Sequence, residues 1–152
     1  MKILEVLQKD AILENLVSTD KKGILEELVT PVAKAAKVSE EGLVKVLLDR
    51  ERLGSTGIGG GVGIPHGKLK NLANIVLGFG RSRKGVNFES MDSKPTHIFF
   101  LLVTPENSTG LHLKMLARIS RLLKDESFKE RLINASSRDE IFTIIQEADE
   151  EF

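Results

Sequence analysis

The chain has 152 residues, 41% of them hydrophobic and 29% charged, a composition that excludes a disordered protein and fits one domain over residues 1–152. Because 22 basic residues balance 22 acidic ones, no positive field would hold a nucleic acid or an anionic membrane, and neither is an expected partner. Cysteine is absent, which excludes disulfides and zinc–thiolate sites, and no apolar run approaches the roughly 18 residues of a membrane span or resembles a signal peptide. We therefore expect a cytoplasmic protein without membrane insertion.

Two helices are predicted before residue 54. The first begins after Thr19 or Asp20, and its apolar residues recur at helical intervals, at Ile24, Leu25, Leu28, Val29 and Val32. Pro31 should kink or end this helix. The second begins after Ser39, and its last turn carries Arg50 toward the residues that follow. Its buried face is predicted to hold Leu43, Val46 and Leu47.

The middle of the chain is predicted to form strands. Residues 54–68 hold seven glycines among fifteen residues, a density that disfavours a regular helix. Two apolar runs of strand length follow, Asn74–Gly80 and Thr96–Val103. The second run is apolar on both faces, which is typical of a central strand. Between them, Gly85–Phe88 is predicted to form a short edge strand.

Helical spacing returns in the last third of the chain. Leu111–Leu123 has the period of an amphipathic helix, and Ser137 with Glu140 forms a capping box ahead of a final helix. Helices on either side of a strand-rich middle predict one layered α/β domain.

The glycine-rich segment does not match the common nucleotide-binding loops. If Gly67-Lys68 belonged to a P-loop, its first glycine would fall on Val62 and its final Ser or Thr on Leu69. The dinucleotide pattern Gly-x-Gly-x-x-Gly fails as well, because its third glycine falls on Val62 or Ile64. Both motifs also follow a strand, whereas a helix is predicted here. Nucleotide binding is therefore disfavoured.

His66 lies near the end of this segment and is the candidate for covalent chemistry. A neutral imidazole, with an ordinary pKa of about 6.5, attacks phosphorus and leaves again near neutral pH. Gly67 has no Cβ and is expected to leave room for a partner's phosphohistidine. A histidine packed in a turn is the alternative, and the local sequence leaves both interpretations open.

Phosphoryl transfer needs cations and donors around the equatorial oxygens, and Arg50 and His112 are the candidates. Arg50 offers a planar donor fork, although Arg52 fits equally well by spacing and either could be a solvated surface arginine. His112 begins an inward face that continues with Met115, Leu116, Ile119 and Leu123. This position suits a site residue or a hydrogen-bonded core histidine.

Other chemistries have weaker support. His97 opens the second apolar run and is assigned a structural role at the end of a strand. The three histidines lack the close spacing of metal-ligand pairs, so neither a metal nor another cofactor is expected. Gly54-Ser55-Thr56 is not the Gly-x-Ser-x-Gly turn of serine hydrolases.

Two segments resemble a known family, the type-2 EIIA domains of the bacterial phosphoenolpyruvate-dependent phosphotransferase system. They are Leu47-Leu-Asp-Arg-Glu-Arg-Leu-Gly-Ser-Thr-Gly-Ile-Gly59 and Gly63-Ile-Pro-His-Gly-Lys68. The similarity runs through nearly the whole chain, to Pro105 and the helix that begins near His112. It implies a single α/β domain in which a mixed β-sheet is flanked by helices on both sides.

The resemblance also implies a site and a partner. His66 would accept phosphate, on Nε2, from the phosphohistidine of a small HPr-like phosphocarrier protein. Arg50 and His112 would assist. The resemblance also selects Arg50 over Arg52, because the first arginine of Asp49-Arg-Glu-Arg52 matches the family position.

Within the family, the run from Gly54 to Gly59 and the Pro-His-Gly-Lys ending are closer to the nitrogen-regulatory type, although Gly60 stands where that type is expected to have a larger polar residue. The resemblance therefore implies a phosphotransferase component that signals to regulatory target proteins through its phosphorylation state. The second interpretation is a component that donates phosphate to a separate EIIB for fructose- or mannitol-type sugar uptake. A regulatory binding module without transfer chemistry is the third.

Overall fold

A computed structural model of the chain describes residues 1–151 and shows a mixed sheet of six strands with five α-helices. The strands are β1 (Leu7–Leu13), β2 (Gly57–Gly59), β3 (Val62–Gly63), β4 (His66–Leu69), β5 (Val76–Val86) and β6 (Thr96–Pro105). The helices are α1 (Lys21–Ala36), α2 (Glu40–Arg52), α3 (Thr109–Leu122), α4 (Glu126–Asn134) and α5 (Arg138–Glu151), preceded by a 3-10 turn at Ile3–Glu5. In this part of the chain, no helix has the length and apolar character needed to cross a membrane.

The sheet has the order β1-β5-β6-β3-β2, and β4 pairs with β6 beyond the end of β3. β6 runs antiparallel to β5 and parallel to β3 and β4. Residues 62–69 follow β6 in a single register, with Val62 opposite Ile98 and His66 opposite Leu102. The pairing is interrupted only at Ile64-Pro65, where proline has no N–H to donate. The predicted mixed sheet is confirmed, and this interruption leads directly into His66.

The helices cover both faces of the sheet, as predicted. A Cβ at Gly80 of β5 would lie 2.7 Å from the side chain of Leu28, so this face packs on α1. The next residue, Arg81, points to the opposite face and donates to carbonyls at the end of α4. On β4, a Cβ at Gly67 would lie 2.9 Å from Val46 of α2. The missing Cβ at Gly67 therefore admits α2 rather than a partner protein, and His66 faces the side of α3.

The two predicted N-terminal helices are present, with one correction. The Asp20 carboxylate caps α1 by accepting from the Gly23 N–H at 2.8 Å, and the Ser39 hydroxyl caps α2. However, α1 continues through Pro31 to Ala36, so of the two predicted effects of this proline, a kink or an end, the end is wrong. Val32 and Ala33, just beyond the proline, are buried in the core, and their packing outweighs the lost backbone hydrogen bond.

The strand prediction needs two further corrections. Gly85 and Val86 end the long β5, which pairs with β6 on one side and β1 on the other, so a separate edge strand at Gly85–Phe88 is wrong. β1 is missing from the sequence prediction, because its pairing with β5 jumps from Leu7 to Ile12 and leaves the intervening residues 8–10 exposed. This irregularity removes the alternation by which strands are identified. Helix α4 is also absent from the prediction.

Candidate functional site

Three elements bring the predicted site residues together. His66 is the first residue of β4, Arg50 lies in the last turn of α2, and His112 lies in the first turn of α3. The ring centroids of His66 and His112 are 5.4 Å apart, with their planes inclined by 61°. The positive charge of Arg50 acts on His66 and lowers its pKa. Residues that are far apart in sequence therefore form one cluster beside the interruption at Ile64-Pro65.

His66 is half-buried, and a backbone contact fixes its ring. Its Nδ1 atom lies 2.7 Å from the Ile64 carbonyl oxygen. Because a carbonyl oxygen only accepts, Nδ1 carries the proton and Nε2 of the neutral ring keeps its lone pair. The pKa of His66 is below its ordinary value, chiefly through burial; the Ile64 hydrogen bond opposes this, Arg50 lowers the pKa further and Glu51 raises it. The ring is thus neutral near pH 7, with Nε2 available as a nucleophile.

His112 is buried, with 5% of its surface exposed, on the apolar face that the sequence predicts. Its Nδ1 atom lies 2.7 Å from the buried Thr104 hydroxyl of β6. Burial lowers the pKa of His112 to about 4, with help from the charges of His66 and Lys68. This is a neutral imidazole held between the sheet and the ring of His66. Nothing in the sequence prediction identified Thr104, which stands at the end of an apolar strand.

Arg50 and Arg52, equivalent by spacing, differ in the structure. Arg50 is half-buried, and its Nη1 donates to the carbonyl of Gly54, the first residue of the glycine-rich segment, at 2.8 Å. The side chain of Arg52 is 74% exposed and pairs with Asp49 on the same helix. Of the two arginines, Arg50 is the one whose charge acts on His66.

Lys68 is a further cation at this site, although the sequence prediction gave it no role. It lies two residues after His66 on β4, and alternate residues of a strand share a face. Its Nζ donates to the Thr109 hydroxyl at 2.9 Å, at the start of α3, and its charge lowers the pKa of His112. The alternation of β4 could have identified it, had the short strand been predicted within the glycine-rich segment.

Glu51 is also missing from the sequence prediction. It is 7% exposed, and its carboxylate accepts from the backbone N–H and the hydroxyl of Thr56 and pairs with Lys21 of α1 at 3.1 Å. This contact closes the turn that follows α2 and holds the glycine-rich segment against the helix layer. Within the charged run 49–52, no sequence feature separates this buried carboxylate from its exposed neighbours.

The third histidine lies outside this cluster. His97 is near the start of β6, and its Nδ1 donates to the Ser82 carbonyl at 2.9 Å. This contact agrees with the predicted structural role. Among residues 1–151, no group of three or more His, Cys, Asp or Glu side chains is arranged to hold a metal ion. The chemistry the site offers is that of a nucleophilic ring nitrogen beside a second imidazole, a guanidinium and an ammonium group.

Comparison with known proteins gives a consistent family. A family model described as "Phosphoenolpyruvate-dependent sugar phosphotransferase system, EIIA 2" matches residues 5–148. The chain is 40% identical over 150 residues to the fructose-specific EIIABC component of the phosphotransferase system of Bacillus subtilis, which is 98% of this chain but only 24% of that protein. It is also 40% identical over 145 residues to a nitrogen regulatory protein of Bradyrhizobium diazoefficiens, covering 95% of each.

A solved structure shows the same fold. The nitrogen regulatory protein IIA-Ntr from Neisseria meningitidis aligns with a TM-score of 0.88 and 34% sequence identity, covering 93% of this chain and 97% of that one. The six-stranded mixed sheet and its helix layers therefore follow the fold of this relative.

Proposed function

The chain belongs to the EIIA type 2 family of the phosphoenolpyruvate-dependent sugar phosphotransferase system, and from this premise we propose that it carries a phosphoryl group on His66. Its role as a phosphotransfer component follows from the family. The donor in our proposal is the phosphohistidine of an HPr-like carrier protein, and the acceptor atom is Nε2. The unit that acts is one domain over residues 1–152.

The observation that carries the proposal is the environment of His66. The Ile64 carbonyl fixes the proton on Nδ1, burial keeps the ring neutral, and Nε2 retains its lone pair. A histidine that served only to fill a turn would not need a second imidazole 5.4 Å away and a guanidinium whose charge reaches it. These surroundings suit a group that gains and loses a dianionic phosphoryl.

The transfer balances without a cofactor. Nε2 of His66 attacks the phosphorus, the bond between phosphorus and the carrier's nitrogen breaks, and its electron pair returns to the carrier's ring. His66 keeps its Nδ1 proton, so positive charge develops on its imidazole, and the Ile64 carbonyl stabilises that charge. Arg50 and His112 donate to the phosphoryl oxygens as the group passes, and the guanidinium offsets their charge.

Labelling tests this proposal directly. The chain is incubated with radiolabelled phosphoenolpyruvate, Enzyme I and an HPr-like carrier, and we expect an acid-labile, base-stable label. His66→Ala should abolish the label, and His97→Asn, which changes a histidine outside the cluster, should retain it. A label that survives His66→Ala would place the acceptor elsewhere.

We assign this carrier to the nitrogen-regulatory branch, in the bacterial cytoplasm, where it would signal to regulatory target proteins. The sequence from Gly54 to Gly59 and the similarity to IIA-Ntr support this branch. The second candidate is donation to an EIIB domain for sugar uptake, which the similarity to a fructose-specific EIIABC component favours. Adding a fructose-type EIIB to the labelled chain separates the two, because rapid loss of label to EIIB is expected only of a sugar-transport component.

A regulatory binding module without transfer chemistry gives a different result. Such a module would take no label from any phosphorylated HPr-like carrier, while still binding its target proteins. The labelling experiment therefore decides between the classes before the branch is tested.

A further inference from the structure

The two histidines of the site differ in the group that each Nδ1 meets. Nδ1 of His66 lies 2.7 Å from the Ile64 carbonyl oxygen, whereas Nδ1 of His112 lies 2.7 Å from the Thr104 hydroxyl. A carbonyl can only accept, so it requires a proton on Nδ1 of His66. A hydroxyl can donate as well as accept, and it therefore permits the proton of His112 to lie on Nε2.

Thr104 is a polar residue at the end of a buried apolar strand. It is fully buried and follows the buried run Ile98–Val103 of β6. In the part of the chain that the structure describes, His112 is the hydrogen-bond partner of its hydroxyl, which forms no other hydrogen bond. Because a buried hydroxyl without a partner is costly, the pair must be bonded in one direction or the other.

We propose that Thr104 is a positioning residue whose hydroxyl donates to Nδ1 of His112, so that His112 presents Nε2–H to the phosphoryl group on His66. This inference rests on the proposed function of His66. The two ring nitrogens of an imidazole point in nearly opposite directions, so a ring anchored to β6 through Nδ1 directs Nε2 away from the strand. A donor at Nδ1 also polarises the ring and strengthens Nε2–H as a hydrogen-bond donor.

The position of the proton matters because His112 is neutral. Burial, with the charges of His66 and Lys68, holds the pKa of His112 at about 4, so near pH 7 the ring has a single N–H. If that proton lay on Nδ1, Nε2 would present a lone pair to a phosphoryl anion. With Thr104 as donor, two imidazoles 5.4 Å apart take opposite tautomers. One is then the nucleophile and the other the donor.

Nuclear magnetic resonance of the ring nitrogens tests the tautomers in the unphosphorylated wild-type protein near pH 7. We expect the proton on Nδ1 in His66 and on Nε2 in His112, assigned with His66→Gln and His112→Gln. A proton on Nδ1 of His112 would overturn the proposal. In Thr104→Val, the His112 Nδ1 resonance should move toward that of an acceptor without a hydrogen bond, and Thr104→Ser should restore it.

Transfer kinetics test the consequence for function. Thr104→Val should slow phosphorylation of His66 by about 10- to 100-fold, since residues that orient a reactive group typically have effects of this size. Thr104→Ser, which keeps the hydroxyl, should recover most of the rate. An unchanged rate in a folded Thr104→Val protein would overturn the proposal. Failure of a folded Thr104→Ser protein to recover would do so too, because it would show that the methyl group matters rather than the hydroxyl.

The outcomes separate this inference from the proposed function. If the wild-type chain takes no label, the carrier role fails, while the tautomers still decide the hydrogen bond of Thr104. If the wild type is labelled on His66 and Thr104→Val transfers at the same rate, the carrier role stands and the positioning role of Thr104 fails. Circular dichroism of each variant establishes that it is folded.

Discussion

Arg50 and Arg81 both donate to backbone carbonyls, but their surroundings suit Arg50 to bind a reacting anion and Arg81 to join elements of the fold. Arg50 is half-buried and uses Nη1 on the Gly54 carbonyl, its one hydrogen bond to residues 1–151. Arg81 is 1% exposed and donates to the carbonyl of Glu14 and to those of Leu132 and Ala135 at the end of α4. A guanidinium with free donors beside a nucleophile can serve a reacting anion, whereas one surrounded by carbonyls joins elements of the fold.

Arg81 has a clear physical reason for its position. The last carbonyls of a helix have no partner within the helix and form the negative end of its dipole. Arg81 places a buried positive charge against them and also reaches Glu14 beyond the end of β1. It therefore ties α4 to the sheet, with its Nη2 left as a buried donor without a partner in the described chain.

Replacing Arg50 should give the largest effect and should fall on transfer alone. We expect Arg50→Ala to slow phosphorylation of His66 by about 100- to 1000-fold, the usual loss when a donor to transition-state charge is removed. Thermal unfolding should change little, because one hydrogen bond to an exposed carbonyl is lost. Arg52→Ala is the matched control and should transfer at the wild-type rate. Equal losses in the two variants would remove Arg50 from the site.

Replacing Arg81 should give the opposite result. Arg81→Met keeps an unbranched side chain but removes hydrogen bonds to four backbone carbonyls, of which, within residues 1–151, only that of Ala135 keeps a donor, Arg83. We expect the free energy of unfolding to fall by about 3 kcal/mol. Urea unfolding measures this loss, and transfer by the folded protein should be unchanged. Arg83→Met is the control, since Arg83 is exposed and its hydrogen bond within residues 1–151 is to Ala135 alone. A transfer defect in folded Arg81→Met would break the contrast between the two arginines.

The sequence identifies the residues that carry the chemistry of the site better than it identifies those that hold the site and the fold in position. His66, Arg50 and His112 belong to residue types that phosphoryl transfer needs, and helical periodicity turns His112 inward as the structure has it. Thr104 and Arg81 carry no such signal. Each follows a run of mostly apolar residues within its strand. Its hydrogen-bond partner depends on how distant elements pack, and local sequence patterns do not encode that packing. β1 escapes prediction for a related reason, because its bulge breaks the strand alternation.

Acid should lower the stability of the protein through the two histidines of the site and not through Arg81. The folded pKa values of His66 and His112 lie below the ordinary 6.5, so between pH 6.5 and about 4 the unfolded chain binds more protons than the folded one. The contribution of these neutral rings to the free energy of unfolding is fully present above pH 6.5. It is lost as the pH falls through the pKa values that the two rings have in the folded protein.

Urea midpoints measured from pH 7 to pH 5 should therefore decrease in the wild type. His112→Gln should decrease less over the same range, because its part of the proton uptake is gone. Arg81→Met should be less stable at every pH but should keep the wild-type dependence on pH. If His112→Gln kept the full wild-type slope, His112 would not be a neutral buried group in the folded protein.

The smallest effect is expected at Lys68, whose charge is exposed although it belongs to the site. Lys68→Met removes the ammonium group that bonds Thr109 and lowers the pKa of His112. Because water and salt screen exposed charges, we expect transfer to slow by less than about fivefold, and the difference from wild type should shrink in high salt.

The pKa of His112 should rise in Lys68→Met, as measured by titration of its ring resonances. Lys70→Met, a neighbouring exposed lysine, is the control, and an equal rise there would mean that His112 responds to overall charge rather than to Lys68.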